Sequence, residues 1–272
     1  MPARSQIIFA LAWLACFRLQ AASSYVQEPQ AEACRQWQEW EQKVWDGKAE
    51  RKEAQTKFRE LWSRVTIDDL PSVKEGLWQW DFPMPGYGAD DWSSQSYNPE
   101  QYKFADGPAA VGHPAINIYA HDRLRKGLDD RTGKAIAIVS ATDGVVVSAR
   151  KFWAETDTNP LGVYVCVLSQ EEKRFFYYAH LSKLKVGLGQ LVRKGQVLGW
   201  LGRTGTDVVK KNLGTHLRFE VHTFDDGLFY PVYPGRALKE AKQLPWPLLE
   251  PKYNRLPKHL YEIPLTPTPA SK

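Results

Sequence analysis

Thr215-His216-Leu217-Arg218-Phe219-Glu220-Val221 is the stretch whose reading decides this chain. Apolar Leu217, Phe219 and Val221 alternate with polar His216, Arg218 and Glu220. That period of two predicts a strand with His216, Arg218 and Glu220 on one face. Similar short runs lie on its N-terminal side: Ala135–Val139, Gly144–Ser148, Val163–Leu168, Phe175–Ala179 and Val197–Leu201. Gly and Asp-Gly turns separate them. Short strands with frequent turns predict a mainly β fold, a compact antiparallel sandwich or barrel.

Further out the texture changes. Within residues 28–65, Cys34, Trp37, Trp40 or Glu41, and Val44 recur at helical steps, as do Ala54, Phe58, Leu61, Trp62 and Val65. Asp46-Gly47 between them predicts a helical hairpin or one kinked helix. Its apolar stripe reads as a packing face. The expected organisation is a signal peptide over 1–22, a helical segment over 23–70, a loop-rich lead-in over 71–111, a β domain over 112–238, and a proline-rich tail over 239–272. Arg4, the apolar stretch from Ile7 to Phe17, and the small residues Ala21 to Ser24 carry the signal reading. An uncleaved signal would leave a membrane tether. Export places the protein in the periplasm or cell envelope.

Composition narrows the classes. The chain has 272 residues, 43% hydrophobic and 25% charged, which excludes global disorder. Beyond the first twenty or so residues no apolar run spans a bilayer. A formal charge of +5 is too mild to argue for nucleic acid. Cys34 and Cys166 fall in a helix pattern and a strand pattern; two separate buried thiols are expected rather than a disulfide.

Three of the six histidines stand inside patterned segments: His113 in His113-Pro114-Ala115-Ile116-Asn117, His180 in Tyr177-Tyr178-Ala179-His180-Leu181, and His216. With Leu128-Asp129-Asp130-Arg131-Thr132-Gly133, Ala141-Thr142-Asp143-Gly144, Gly189 to Gln196, Gly199, Gly202 and Thr204-Gly205, they form an ordered set. From Gly112 to about Pro234 this set resembles the lysostaphin/LytM-type zinc endopeptidases, which cut peptide cross-links in peptidoglycan. The resemblance implies two intertwined antiparallel sheet motifs. It also implies a zinc held by a His, an Asp four residues later, and the second His of a His-x-His, with water in the open position.

The first of those metal positions is His113. The second is Asn117 and the third Arg218. A neutral amide is a poor substitute for a carboxylate at zinc, and a guanidinium has no lone pair to give. It also repels a dication, by on the order of 4 kcal/mol per unit charge pair at 4 Å. His180 and His216 match the family's two non-ligand histidines, which assist the water and the tetrahedral intermediate. They read equally as polar groups lining a cleft. His121 and His222 are the nearest substitutes for the missing ligands, but strand geometry sets His222 about 13 Å beyond Arg218.

The expectation is a degenerate member that binds peptidoglycan stem peptides or a cell-wall hydrolase, with zinc absent or weakly held. Arg218 and Asn117 would touch substrate, Arg218 pairing with a substrate carboxylate. An active zinc endopeptidase is the alternative. Gly189 to Gly205 also resembles lipoyl-type and sugar-phosphotransferase β domains, but export removes the cytoplasmic phosphodonor and no hairpin-tip Lys stands out. A secreted β domain with an inert cleft is the blandest reading.

Overall fold

The computed structural model describes residues 25–66 and 79–245. The signal segment, Pro71 and the tail from residue 246 onward lie outside them. Two helices come first, α1 (Gln30–Trp45) and α2 (Arg51–Val65). The turn between them fits its sequence. Gly47 takes φ +68° and its N–H bonds Val44 O at 3.0 Å, while Lys48 N–H reaches back to Lys43 O at 2.7 Å. Only glycine adopts that conformation freely at a helix end. The hairpin reading holds, and Glu41, not Trp40, occupies the buried stripe.

Ten strands follow: β1 (Trp92–Ser93), β2 (Ala115–Tyr119), β3 (Ala137–Val139), β4 (Gly144–Arg150), β5 (Val163–Ser169), β6 (Arg174–Leu184), β7 (Leu191–Val192), β8 (Val197–Leu201), β9 (His216–Asp225) and β10 (Leu228–Val232). Short helices α3 (Thr206–Lys210) and α4 (Gly235–Glu240) flank β9 and β10. The main path of the sheet runs β1-β2-β9-β6-β5-β4-β7, with β10 on β9 and β8 joining β3 and β6. Every pairing between these strands is antiparallel. The six strand runs read from sequence are all strands. β2, β10 and the two-residue strands complete the sheet.

Both faces of the sheet are covered, which is why β5 is buried at every position. On one face Ile116, Val165, Val167, Phe176, Tyr178, Leu217, Phe219 and Val221 form a core with Trp80, Phe82, Met84 and Tyr87. The lead-in is therefore not merely a connector: its residues 80–87 fill this core. Residues 242–244 run beside it, Phe82 N–H donating to Lys242 O at 2.9 Å and Gly86 N–H to Leu244 O at 2.9 Å.

On the other face Val145, Val147, Tyr164, Cys166, Leu168, Phe175 and Tyr177 meet the hairpin. Trp37 is fully buried there, stacked on Phe175 at 5.1 Å and tilted against Phe58 at 4.8 Å. Aromatic pairs at these separations contribute about 0.5–1.5 kcal/mol each beyond area burial. The β4 backbone shifts register between Val146 and Ser148, and Gln38 on α1 accepts the Ala149 N–H at 2.8 Å. The apolar stripe of the hairpin is thus consumed by packing. Cys34 and Cys166 are both buried and free, as expected.

Candidate ligand-binding site

β9 runs between β2 and β6, and its register assembles the site. Asn117 faces Arg218 on one side and Ala179 faces it on the other. Ser93 on β1 is opposite Asn117. Directly paired residues share a face, so Ser93, Asn117, Arg218 and Ala179 form a row across four strands. Tyr119 is paired with His216, and Ala115 and Tyr177 flank Glu220. His113 precedes β2 and is held by two backbone hydrogen bonds with Asn98, at 2.7 and 2.9 Å.

His180 lies on β6 where its pairing is irregular. It adopts φ +65°, an uncommon conformation for a residue with a side chain. Backbone bonds hold it there, His180 N–H to Leu161 O and Gly202 N–H to His180 O, both 2.9 Å. Its Nδ1 meets Thr204 O at 2.8 Å; a carbonyl only accepts, so Nδ1 carries the proton. The same logic protonates Nδ1 of His216 (Gly214 O, 2.7 Å) and of His113 (Ala115 O, 3.1 Å). The His180 and His216 rings meet edge to face at 4.9 Å.

Gly205 makes room for this arrangement. It has φ +104° and ψ 141°, and a Cβ there would stand 2.4 Å from Pro160 O and 2.8 Å from His180 Nδ1. Gly205→Ala is expected to cost about 1–3 kcal/mol and to displace the His180 ring. Thermal unfolding and the His180 ring resonances check this; an unshifted ring in a stable variant contradicts it.

Burial disfavours the charged form of each of these imidazoles, and the Arg218 charge adds to it. His113 falls to about 4, while His180 and His216 also sit below the usual histidine range. All three are neutral at pH 7, each with Nε2 as a lone-pair acceptor.

Arg218 already has a carboxylate partner in its own chain. Its Nε donates to Glu220 Oε1 at 2.5 Å, and His222 Nε2 meets Glu220 Oε2 at 2.9 Å. Burial alone would raise the Glu220 carboxyl. Arg218 and His222 outweigh it and hold Glu220 down at about 2. Sequence reasoning placed Glu220 on the right face but missed its role; the signal was the two-residue step from Arg218.

These residues do not fit a zinc ion. Arg218 offers no lone pair and is locked to Glu220. Among the described residues no three His, Cys, Asp or Glu converge as a metal cage. The two substitutes fail as well: His121 Nε2 is paired with Asp91 at 2.9 Å, and His222 with Glu220. Asn117 is buried and its Oδ1 finds no donor among the described residues. Asp129 in the Leu128–Gly133 segment is structural, accepting from Tyr87 Oη at 2.5 Å and from Arg131. Two open surface depressions lie beside the row, around Asp91, Tyr119, His121 and Asp130, and Arg218 lines neither.

Residues 123–229 match the model of Peptidase family M23. That span of the chain is thus similar to the peptidase family that the resemblance named. The matched span holds His180, His216 and Arg218; His113 and Asn117 precede it. Among solved structures, the catalytic domain of the antimicrobial peptidase lysostaphin from Staphylococcus simulans is 19% identical at TM-score 0.36, covering 56% of this chain and 95% of its own. A lytM protein from Ruminococcus gnavus is 19% identical at TM-score 0.42, covering 81% and 90%. A zinc-containing peptidase from Vibrio cholerae is 24% identical at TM-score 0.34, covering 61% and 41%. No curated protein sequence matches this chain.

Proposed function

We propose that this is an exported cell-envelope protein whose peptidase-like groove binds peptidoglycan stem peptides without zinc-dependent cleavage, and that it regulates a cell-wall hydrolase. One observation carries the reading. The Arg218–Glu220 ion pair stands at a position where the family resemblance requires a metal ligand. Arg218 and Asn117 serve as ligand-contacting groups, and His180 and His216 line the groove. Export rests on the pattern of residues 1–22. No helix among the described residues is long and apolar enough to cross a membrane.

The alternative, an active zinc endopeptidase, draws support from the three imidazoles. Each donates its Nδ1 proton to a backbone carbonyl, and its Nε2 has no hydrogen-bond partner among the described residues. Metal-binding histidines are oriented in this way.

The test is metal content and activity together. Untagged protein equilibrated with excess zinc and then desalted is expected to retain far less than one ion per chain, to leave sacculi undigested, and to sediment with them. Near-stoichiometric zinc with release of cleaved peptides would establish the alternative. Failure to sediment would remove the peptide-binding reading.

A further inference from the structure

We propose that the loop over residues 123–128 docks the protein on an anionic lipid surface. Leu124 enters the headgroup layer, and the cations around it hold the phosphates. The inference goes beyond the peptide-binding reading above and stands without it. It follows from an apolar side chain held outward among cations that lack an acidic partner.

The loop reads Arg123-Leu124-Arg125-Lys126-Gly127-Leu128. Leu124 is 71% exposed, and Leu128 is exposed as well. The backbone that presents them is fixed from below. The buried Asp122 carboxylate accepts the Lys126 N–H at 2.9 Å, the Gly127 N–H at 2.7 Å and the Thr215 hydroxyl at 2.7 Å. The Arg125 N–H bonds Asp122 O at 3.2 Å, with Arg125 at φ +55° and Gly127 at φ +72°. A tip whose amides are already satisfied enters a headgroup layer without stranding them.

The acids of this segment are all engaged. Asp130 pairs with Arg123 at 3.1 Å, Asp129 with Arg131 at 2.8 Å, and Asp122 is turned inward. Arg125, Lys126 and Lys134 are exposed and have no ion-pair partner among the described residues. Arg203 lies close enough for its charge and that of Arg125 to repel. The loop adjoins β8, a Cβ on Gly127 standing 3.4 Å from Leu201 O. There Trp200 is paired with the exposed Lys183, and Lys185 Nζ lies 5.8 Å from its ring. A soluble polyanion would use the cations and leave Leu124 in water. A bilayer surface uses both, and an apolar tip beside Trp, Lys and Arg is the composition of interfacial segments.

The experiment sediments the full chain with vesicles of phosphatidylcholine alone, or of phosphatidylcholine and phosphatidylglycerol in equal parts. The unaltered chain is expected to prefer the anionic vesicles. Leu124→Ser should weaken that binding about fivefold. Arg125→Gln with Lys126→Gln should weaken it about twentyfold, each cation near an anionic surface contributing about fivefold. Residues 1–22 are common to every variant, so the differences report the loop. Equal binding to both vesicles overturns the inference, as does anionic binding that neither variant reduces. Binding lost with the two cations but kept in Leu124→Ser points to a soluble polyanion and overturns it too. Unfolding curves establish that the variants are folded; if one is not, the other variant and the preference of the unaltered chain decide.

Discussion

Arg218→Ala is expected to lower unfolding free energy by about 3–5 kcal/mol. The reason lies in what remains. Glu220 is 1% exposed, between Tyr177 and Ala115 on the neighbouring strands. Losing Arg218 leaves a buried carboxylate whose remaining side-chain hydrogen-bond partner among the described residues is His222. In the native protein Glu220 titrates near 2, below the ordinary 4.5. A depressed carboxyl contributes stability that is complete above the unfolded value and is lost as pH falls through the folded one. That contribution is on the order of 3 kcal/mol at neutral pH, consistent with the cost of breaking a buried pair. The loss in Arg218→Ala is therefore expected to be larger at pH 8 than at pH 5, where Glu220 can accept a proton. Removing both groups, in Arg218→Ala/Glu220→Ala, should cost less than the sum of the single losses. Urea unfolding at the two pH values measures all three variants. A single-variant loss below about 1 kcal/mol would place the pair among ordinary surface ion pairs.

The second large effect is expected from Glu41, with the opposite sign. Glu41 is fully buried where α1 meets β4, β5 and β6, and neither carboxylate oxygen has a hydrogen-bond partner in proper geometry among the described residues. Burial raises it to about 7; Ser148, Tyr177, Trp45 and Tyr164 around it offset part of that rise. Cys166, Tyr164 and Tyr177 are the titratable groups facing it, and burial keeps all three protonated at neutral pH. A raised carboxyl favours the folded state fully below its unfolded value of 4.5, and that advantage is lost as pH rises through 7. The native protein should therefore lose on the order of 3 kcal/mol between pH 4.5 and pH 8 from this group. Glu41→Gln should abolish that part of the pH dependence and unfold at higher urea than the native chain at pH 8. Parallel pH profiles for the two proteins would show that Glu41 does not titrate in this range.

The two carboxylates share one face of the sheet, and the chain treats them differently. Glu220 has a cation two residues away on its own strand. Glu41 has hydroxyls and an indole. Proximity of charge, not depth, separates a residue held near 2 from one held near 7.

Much of this was legible in the primary structure because it depends on local periodicity. The alternation around His216 announced β9, the helical spacing of Trp37, Phe58 and Leu61 announced the hairpin, and Asp46-Gly47 marked its turn. The two departures from the expected metal ligands, Asn117 and Arg218, needed no coordinates, since the donor chemistry of an amide and a guanidinium is a property of the side chains. Three things came only from the tertiary structure. The β2·β9 register put Asn117 opposite Arg218, a pairing across a long stretch of chain. Packing chose Glu41 over Trp40 for the buried stripe, which helical spacing allows equally. Most consequentially, burial turned the i, i+2 step from Arg218 to Glu220 into a neutralising ion pair. An exposed pair at that spacing is weak in water; sealed between strands, it sets the charge of the whole site.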